Sequence, residues 1–484
     1  MDVMTFIDFV ILANEILALI TVFREEREIS ATWAWLLVLS FLPVIGFIIY
    51  AFVGRKLPKK RLFRFQDRDI KKIYRVLENR IRLHSNPKKI KADEVSYSAK
   101  NLVKLFKNSG ISDLSRRNHV KIFIDGNSLF NKMISDIEKA KSSINIEFYT
   151  FYNDEIGKQV LNTLIKKAKQ GIHIHVIYDS WGSMGTTRRF FQPLVDVGGI
   201  AEPFLHTHSA ITDFRINFRD HRKIVVIDGQ IGYVGGFNIG DQYLNRKKKF
   251  GNWRDTHLRI IGNSVYNLQA QFILDWNVTD IHRPIDEEKD KEFYFPATYQ
   301  EGSTNIQIVS SGPDTNLQQI KLGYIKLIQT AKNYCWIQTP YLIPDDSTTD
   351  ALKSAAMSGV DVRIMLPCKP DHPFVYRATQ YYAKQLAKYG VKIYFYQKGF
   401  LHAKTIVVDG KVSSVGSANF DFRSFKLNFE INAFLYDEAI SQQLRSLYIK
   451  DIRDSTLETV ETMDKQSSWM KFKQVFSRLF SPIL

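Results

Sequence analysis

Cysteine is almost absent from this chain: two residues in 484, Cys335 and Cys368, each within an apolar stretch. Two isolated thiols exclude a disulfide framework and a cysteine-rich zinc site, and they read as reduced core residues of a cytosolic body. Acidic residues are the minority charge, 50 against 67 lysines and arginines, for a formal net charge of +17. Such a balance attracts polyanions, and the two realistic ones are nucleic acid and the anionic surface of a membrane. Composition alone does not separate them. Disorder is excluded, because 45% hydrophobic and 24% charged residues are the proportions of a folded chain. The length exceeds what one core sustains, so two or three domains are expected.

Charge is missing altogether from residues 31–53, ATWAWLLVLSFLPVIGFIIYAFV. A helix of that length covers a hydrocarbon core of about 30 Å, so a transmembrane helix is expected there. Pro43 and Gly46 do not oppose it, since membrane helices tolerate such breakers. Arg55, Lys56, Lys59, Lys60, Arg61 and Arg64 follow at once, and a basic cluster beside a span is retained on the cytoplasmic side. The earlier apolar stretch 3–23 is interrupted by Asp8, Asn14 and Glu15. A helical hairpin with 24–28 as its outer turn is preferred; an interfacial helix is the alternative. A cleaved signal peptide fits poorly, because Met1-Asp2 supplies no basic leading region. The expectation is a multi-pass protein of the cell membrane whose body faces the cytoplasm.

Beyond this anchor (1–60) and a basic helical connector (61–118, turning near Ser85-Asn86-Pro87), the chain repeats itself. In the first half, 144–151 reads as a strand, 155–170 as a helix and 172–178 as a second strand; the second half repeats the order at 334–341, 350–358 and 360–366. Strands alternating with helices imply an α/β fold. The expected bodies are 119–285 and 304–466, joined by a linker at 286–303.

Each half carries the same pattern. The first reads His221-Arg222-Lys223, then Asp228-Gly229, then Gly235-Gly236-Phe237-Asn238; the second reads His402-Ala403-Lys404, Asp409-Gly410 and Gly416-Ser417-Ala418-Asn419 at equal offsets. Six fixed positions coincide by chance on the order of 10⁻⁸ per start, so the repetition is a duplication. Alternation along a strand puts His221 and Lys223 on one face, and likewise His402 and Lys404. Asp228 and Asp409 fall on the opposite face, where they are expected to hold the following turn through backbone amides. Gly235-Gly236 and Gly416-Ser417 let the backbone approach an anion.

Two histidines, two lysines and two carboxamides without a carboxylate cage suit a phosphodiester. The lysines, with Asn238, Asn419 and Ser417, would neutralise the phosphate oxygens. One imidazole would attack phosphorus to form a phosphohistidine while the other protonates the leaving alkoxide. Asp255, in Trp253-Arg254-Asp255-Thr256-His257, and Glu430, in Asn428-Phe429-Glu430, are candidates to orient the imidazoles; which serves which is open. His173 and His175, and His206 and His208, lack a Cys or carboxylate at ligand spacing and are read as structural or solvent-facing. No metal and no cofactor is expected.

The duplicated motif resembles that of the phospholipase D superfamily. The two apolar segments, the Arg-Asp-Thr-His stretch and the Ser-Pro-Ile-Leu ending make nearly the whole chain similar to the bacterial cardiolipin synthases of that superfamily. The resemblance implies a duplicated sandwich of two mixed sheets flanked by helices, and metal-independent joining of two phosphatidylglycerol molecules into cardiolipin with release of glycerol. It also implies His221 as nucleophile and His402 as acid. The motif chemistry alone leaves open a hydrolase of phospholipase D type, a phosphatidylserine synthase and, disfavoured by the anchor, a nuclease; a scaffold with a decayed site is disfavoured because both motifs are intact. Partners are phosphatidylglycerol and anionic lipids, with no nucleic acid expected; the oligomeric state is open. Finally, 467–484 gathers Trp469, Phe472, Phe476, Leu479, Phe480 and Ile483 on one helical face, with Lys471, Lys473 and Arg478 elsewhere. That is either an interfacial helix on anionic lipid or a core-packing one.

Overall fold

The computed structural model describes residues 3–23, 29–42, 45–50, 67–84, 97–110, 112–205, 217–247, 249–299, 302–315 and 317–481. The expected outer turn at 24–28, the basic cluster at 55–64, the turn at 85–87 and the histidines at 206 and 208 lie outside them. The amino-terminal helices form one compact unit, and the described residues from Asp67 onward form another.

In the first unit the stretch 3–23 is one helix, Val3–Phe23. Two of its three polar interruptions have described partners: Asn14 donates to the Leu39 carbonyl at 3.1 Å, and Glu15 accepts from Ser40 Oγ at 2.8 Å. Polar groups thus meet between helices while Phe9, Ile11, Leu12, Ile16, Leu17 and Ile20 stay exposed. Of the uncharged run 31–53, expected as a single helix, residues 43–44 and 51–53 lie outside the described residues; the rest forms the helix Ile29–Phe41 and the short helix Ile45–Ile49. The second helix lies back on the first: the Tyr50 ring lies 5.1 Å from that of Trp35, and its hydroxyl donates to the Thr21 carbonyl at 3.3 Å. Among the described residues no helix is long and apolar enough to cross a membrane.

The second unit is the duplicated α/β body. Its first half contains β1 (Ser115–Phe123), β2 (Ser143–Phe148), β3 (His173–Tyr178), β4 (Ile200–Pro203), β5 (Arg219–Asp220), β6 (Lys223–Ile227), β7 (Ile231–Gly235), β8 (Asn252–Arg254) and β9 (His257–Ile261). The second half contains β10 (Thr304–Ser311), β11 (Tyr334–Gln338), β12 (Leu342–Ile343), β13 (Asp361–Pro367), β14 (Lys392–Tyr396), β15 (Gly399–Leu401), β16 (Thr405–Val408), β17 (Val412–Gly416), β18 (Phe420–Asp421), β19 (Asn428–Tyr436) and β20 (Ser455–Glu458). Read outward from the middle, the first half runs β1-β9-β7-β6-β2-β3-β4 and the second β10-β19-β17-β16-β11-β13-β14, with β20 added at the edge. The seven strands of the first series match the first seven of the second in order. The two mixed half-sheets are hydrogen-bonded into one continuous sheet by antiparallel pairing of β1 with β10.

Local sequence explains the repeated elements. Asp154 and Asp345 cap corresponding helices, Glu155–Ala168 and Asp346–Met357, by accepting from the third amide onward, which satisfies a donor the helix leaves free. The apolar faces of these helices pack into two separate cores, one per half. The connector divides its packing: helix Asp67–His84 lies on Ser264–Thr279 of the first half, whereas Ala99, Leu102 and Phe106 of helix Tyr97–Asn108 enter the core of the second. The expected linker at 286–303 contains a short helix, Lys291–Tyr294, and is tied down, with Arg80 Nε donating to the Phe295 carbonyl at 2.8 Å.

Candidate active site

Both motif histidines sit just before a strand, His221 ahead of β6 and His402 ahead of β16. Each is pinned there by the opposite half of the chain. β5 pairs in parallel with the start of β19, and the His221 amide donates to the Phe429 carbonyl at 2.9 Å. Reciprocally, β15 pairs in parallel with β8, and the His402 amide donates to the Arg254 carbonyl at 2.7 Å. These crossed strands carry the carboxylates with them. Glu430 meets His221 Nδ1 with both oxygens at 2.9 Å, and Asp255 Oδ2 meets His402 Nδ1 at 2.6 Å. The question the sequence left open is thus resolved by geometry: each carboxylate serves the histidine of the other half. With Nδ1 donating to a carboxylate, a neutral imidazole presents an unprotonated Nε2.

Lys223 and Lys404 are buried beside their histidines, and their ammonium groups donate to the carbonyls of His221 at 2.6 Å and His402 at 2.5 Å. Lys404 Nζ also lies 2.9 Å from His402 Nδ1. Burial pushes Lys223 down to about 7 and Lys404 down to about 8, against the pull of Glu430 and Asp255. Burial and then the neighbouring lysines push His402 down to about 4 and His221 well below its ordinary value. Four cationic groups in one dry place lower one another's proton affinity, and a bound anion relieves all four. The two carboxylates differ. Burial drives Glu430 up to about 7, whereas at Asp255 the effect of burial is outweighed by Lys404 and His402, which hold it below the usual carboxylate range.

The motif aspartates lie away from this chemistry. Asp228 accepts from the amides of Lys141, Ser142 and Ser143 and from the Ser142 hydroxyl; Asp409 accepts from the amides of Lys332, Asn333 and Tyr334. Each bonds amides as expected, but those that open the neighbouring strand, β2 or β11, and not those of its own turn. Both adopt left-handed backbone, at φ 53° and 52°, ahead of Gly229 and Gly410 at 63° and 64°.

Asn238 accepts from the Thr150 amide at 3.1 Å and donates to the Tyr243 hydroxyl at 3.0 Å; Asn419 is buried, and its Oδ1 has no hydrogen-bond partner among the described residues. Ser417, grouped with the phosphate-binding residues, donates to Glu430 Oε2 at 2.5 Å, so its proton is engaged by the carboxylate that holds His221. Gly236 occupies the corresponding place in the first half because a Cβ there would come within 2.1 Å of Asp255 Oδ1. The shorter aspartate reaches its histidine by approaching the backbone, and only glycine leaves the room.

Several neighbours had no signal in the sequence. The Tyr149 ring lies 5.0 Å from His221 and 5.3 Å from Lys223 Nζ. The Trp253 ring lies 5.2 Å from His402. Arg222 turns away from the site into a buried pair with Asp275 at 2.6 Å, near Glu147 and Asp220; the second motif has Ala403 in its place. His175 is a buried structural residue, with Nδ1 at 3.2 Å from Asn145 Oδ1.

Comparison with known proteins gives the family and the fold. Residues 133–268 and 324–452 match the family described as "Cardiolipin synthase, PLD-like domain", and residues 16–55 match "Phospholipase_D-nuclease N-terminal". The chain is 48% identical to a cardiolipin synthase of Listeria innocua over 98% of both chains. It is 44% identical to one of Staphylococcus aureus, over 97% of this chain and 95% of that one. Among solved structures, the phosphatidylserine synthase of Haemophilus influenzae superposes with a TM-score of 0.61 at 14% identity, covering 79% of this chain and all of that one, a likeness of fold.

Proposed function

The chain belongs to the bacterial cardiolipin synthase family of the phospholipase D superfamily, and from that premise we propose how its two motifs divide the work. It is a phosphatidyltransferase that joins two phosphatidylglycerol molecules into cardiolipin and releases glycerol. In the first step His221 Nε2 attacks phosphorus, the bond from phosphorus to the glycerol oxygen breaks, and His402 delivers a proton to that oxygen. A phosphatidyl group is left on His221. In the second step neutral His402 takes the proton from the hydroxyl of a second phosphatidylglycerol, whose oxygen displaces the imidazole from phosphorus. Atoms and protons balance over the cycle.

The unequal carboxylates are the observation that carries this assignment. Asp255, ionised below the usual range, raises the proton affinity of His402 against burial and Lys404, so that once a phosphodiester anion is bound His402 is the histidine to carry the proton, the acid. Glu430, raised by burial to about 7, exerts less pull and leaves His221 neutral, the nucleophile. Lys223 and Lys404, with the amides of Asn238 and Asn419, serve the non-bridging oxygens. Ser417, Asp228 and Asp409 act at one remove, by positioning Glu430 and the strand ends.

The test supplies purified protein, in detergent with chelator, with labelled phosphatidylglycerol alone and separates the lipids. Cardiolipin with free glycerol is expected. Phosphatidic acid as sole product would make water the acceptor, and turnover only with a cytidine-linked lipid would move the enzyme to phosphatidylserine synthesis.

The amino-terminal unit is read as the membrane anchor, with the catalytic body on the cytoplasmic side. Around a small buried cluster of Ala18, Val22, Leu39 and Tyr50, most of its large apolar side chains face outward while Asn14, Glu15 and Ser40 pair within it, a pattern unlike a water-soluble helix pair. Labelling of single cysteines in the body from outside intact cells is expected to fail; ready labelling would reverse the orientation.

A further inference from the structure

The helix Ser468–Arg478 packs on the body the wrong way round for a soluble protein. Its buried residues are Gln474 and Ser477. Gln474 Nε2 donates to Gln380 at 3.2 Å and to Gln466 at 2.8 Å, and Ser481 just beyond the helix bonds the Tyr382 hydroxyl at 3.1 Å. Meanwhile Trp469, Phe472, Val475, Phe476 and Leu479 are 45–67% exposed. Three rings form a ladder along the outer face, Trp469 to Phe472 at 5.5 Å and Phe472 to Phe476 at 6.2 Å, and Phe480 extends it at 5.4 Å. Folding alone would turn such a face inward, so it is kept outward for an occupant.

Charge and position identify that occupant. Lys473 Nζ stands 5.0 Å above the Trp469 ring, Lys471 and Lys384 both lie against Asp464, and Arg478 covers Tyr381. Apolar rings ringed by cations suit the interface of an anionic bilayer, where the rings enter the acyl boundary and the ammonium groups remain at phosphate level. The supporting helix, Pro373–Ala387, leads to the reaction centre. Its Phe374 meets Phe476 and Phe480, while Asp371, just before it, bonds the Tyr341 hydroxyl and acts on the charge of Lys404.

We propose that the outer face of Ser468–Arg478 docks into an anionic lipid surface and sets the mouth of the site against the bilayer that holds the substrate. The choice of a lipid occupant rests on the function proposed above. To test it, full-length Phe476→Cys, in a Cys368→Ser background, is labelled with an environment-sensitive fluorophore. It is then reconstituted into vesicles of phosphatidylcholine and phosphatidylglycerol with or without brominated acyl chains. Quenching by about twofold or more is expected on the interfacial reading. Emission unmoved by bromine overturns the proposal, as does emission that shifts with protein concentration in the absence of lipid, which would make a second copy the occupant. In parallel, Phe472→Ser with Leu479→Ser is expected to lower turnover of vesicle phosphatidylglycerol about tenfold while sparing a short-chain monomeric one. Equal loss on both substrates counts against docking. Absence of cardiolipin from any substrate would refute the function, and quenching would still report on the helix.

Discussion

Glu430 grips His221 Nδ1 with both carboxylate oxygens at 2.9 Å across 209 positions of sequence, from the opposite half of the duplicated body. The reciprocal pair, Asp255 and His402, spans 147 positions at 2.6 Å. Neither half contains a complete site, so the duplication works as an internal dimer in which each repeat orients the other's imidazole.

Glu430→Gln keeps the shape and removes the charge that selects the tautomer. Turnover is expected to fall about 10²–10⁴-fold, by analogy with triads stripped of their orienting carboxylate. The crossed pairing makes the finer prediction. Glu430→Gln should suppress the covalent intermediate, while Asp255→Asn should let it accumulate, as read by acid-quenched labelling of the protein with phosphatidylglycerol. The opposite pattern would exchange the roles of His221 and His402.

Gly236→Ser is expected to be inactive although Ser417→Gly retains measurable turnover. The first places a Cβ within 2.1 Å of Asp255 Oδ1, against a buried carboxylate held by the Thr256 amide and His402. The second removes one hydrogen bond from Glu430, a loss of about 1–3 kcal/mol or some tenfold to a hundredfold in rate. Comparable activity in the two variants would mean that Asp255 has room the structure does not give it.

Binding of a phosphodiester should weaken as pH rises. In the free enzyme Lys223 loses its proton near 7 and Lys404 near 8. A bound anion favours both protonated forms, so affinity is full below these values and declines through them, by up to about tenfold per pH unit for each lysine. Dimethyl phosphate, whose single charge is constant over this range, is a suitable competitive inhibitor for the titration. A constant Ki between about pH 6 and about pH 9 would contradict the depressed lysines.

Asp228→Ala should cost about 2–4 kcal/mol of stability, because three backbone amides and a hydroxyl lose their acceptor together. Thermal unfolding of the detergent-solubilised protein measures it. Asp228→Asn should cost less, since asparagine tolerates the left-handed backbone and keeps one acceptor oxygen. Full stability with lost activity in Asp228→Ala would assign the residue to the reaction instead.

Much of this was legible in one dimension. The equal offsets of His221, Lys223, Asp228 and Asn238 and of His402, Lys404, Asp409 and Asn419 disclosed the duplication and the candidate reacting groups, and His and Lys do lie side by side, although at the entry to the strands, with both histidines and Lys404 just ahead of them. The helices and strands flanking each motif followed from apolar periodicity to within a few residues at most ends. The carboxylates Asp255 and Glu430 were recognisable as candidates. Their partners were not, because the strands that cross between halves, β5, β8 and β15, are two or three residues long, too short to carry a pattern. That Ile45–Ile49 lies back on Ile29–Phe41, bringing Tyr50 to Trp35, was equally invisible to a count of apolar residues.

Sequence alone therefore determined which groups are the candidates to meet phosphorus, in how many copies, and that the chain is basic overall and apolar at its ends. Tertiary structure decided which carboxylate serves which histidine, why the two motifs differ at Gly236 and Ser417, and that the last helix turns its aromatic face outward. The reason is physical. Reactive groups are set by side-chain type and local spacing, whereas proton affinity and exposure depend on burial and on neighbours brought together from distant parts of the chain.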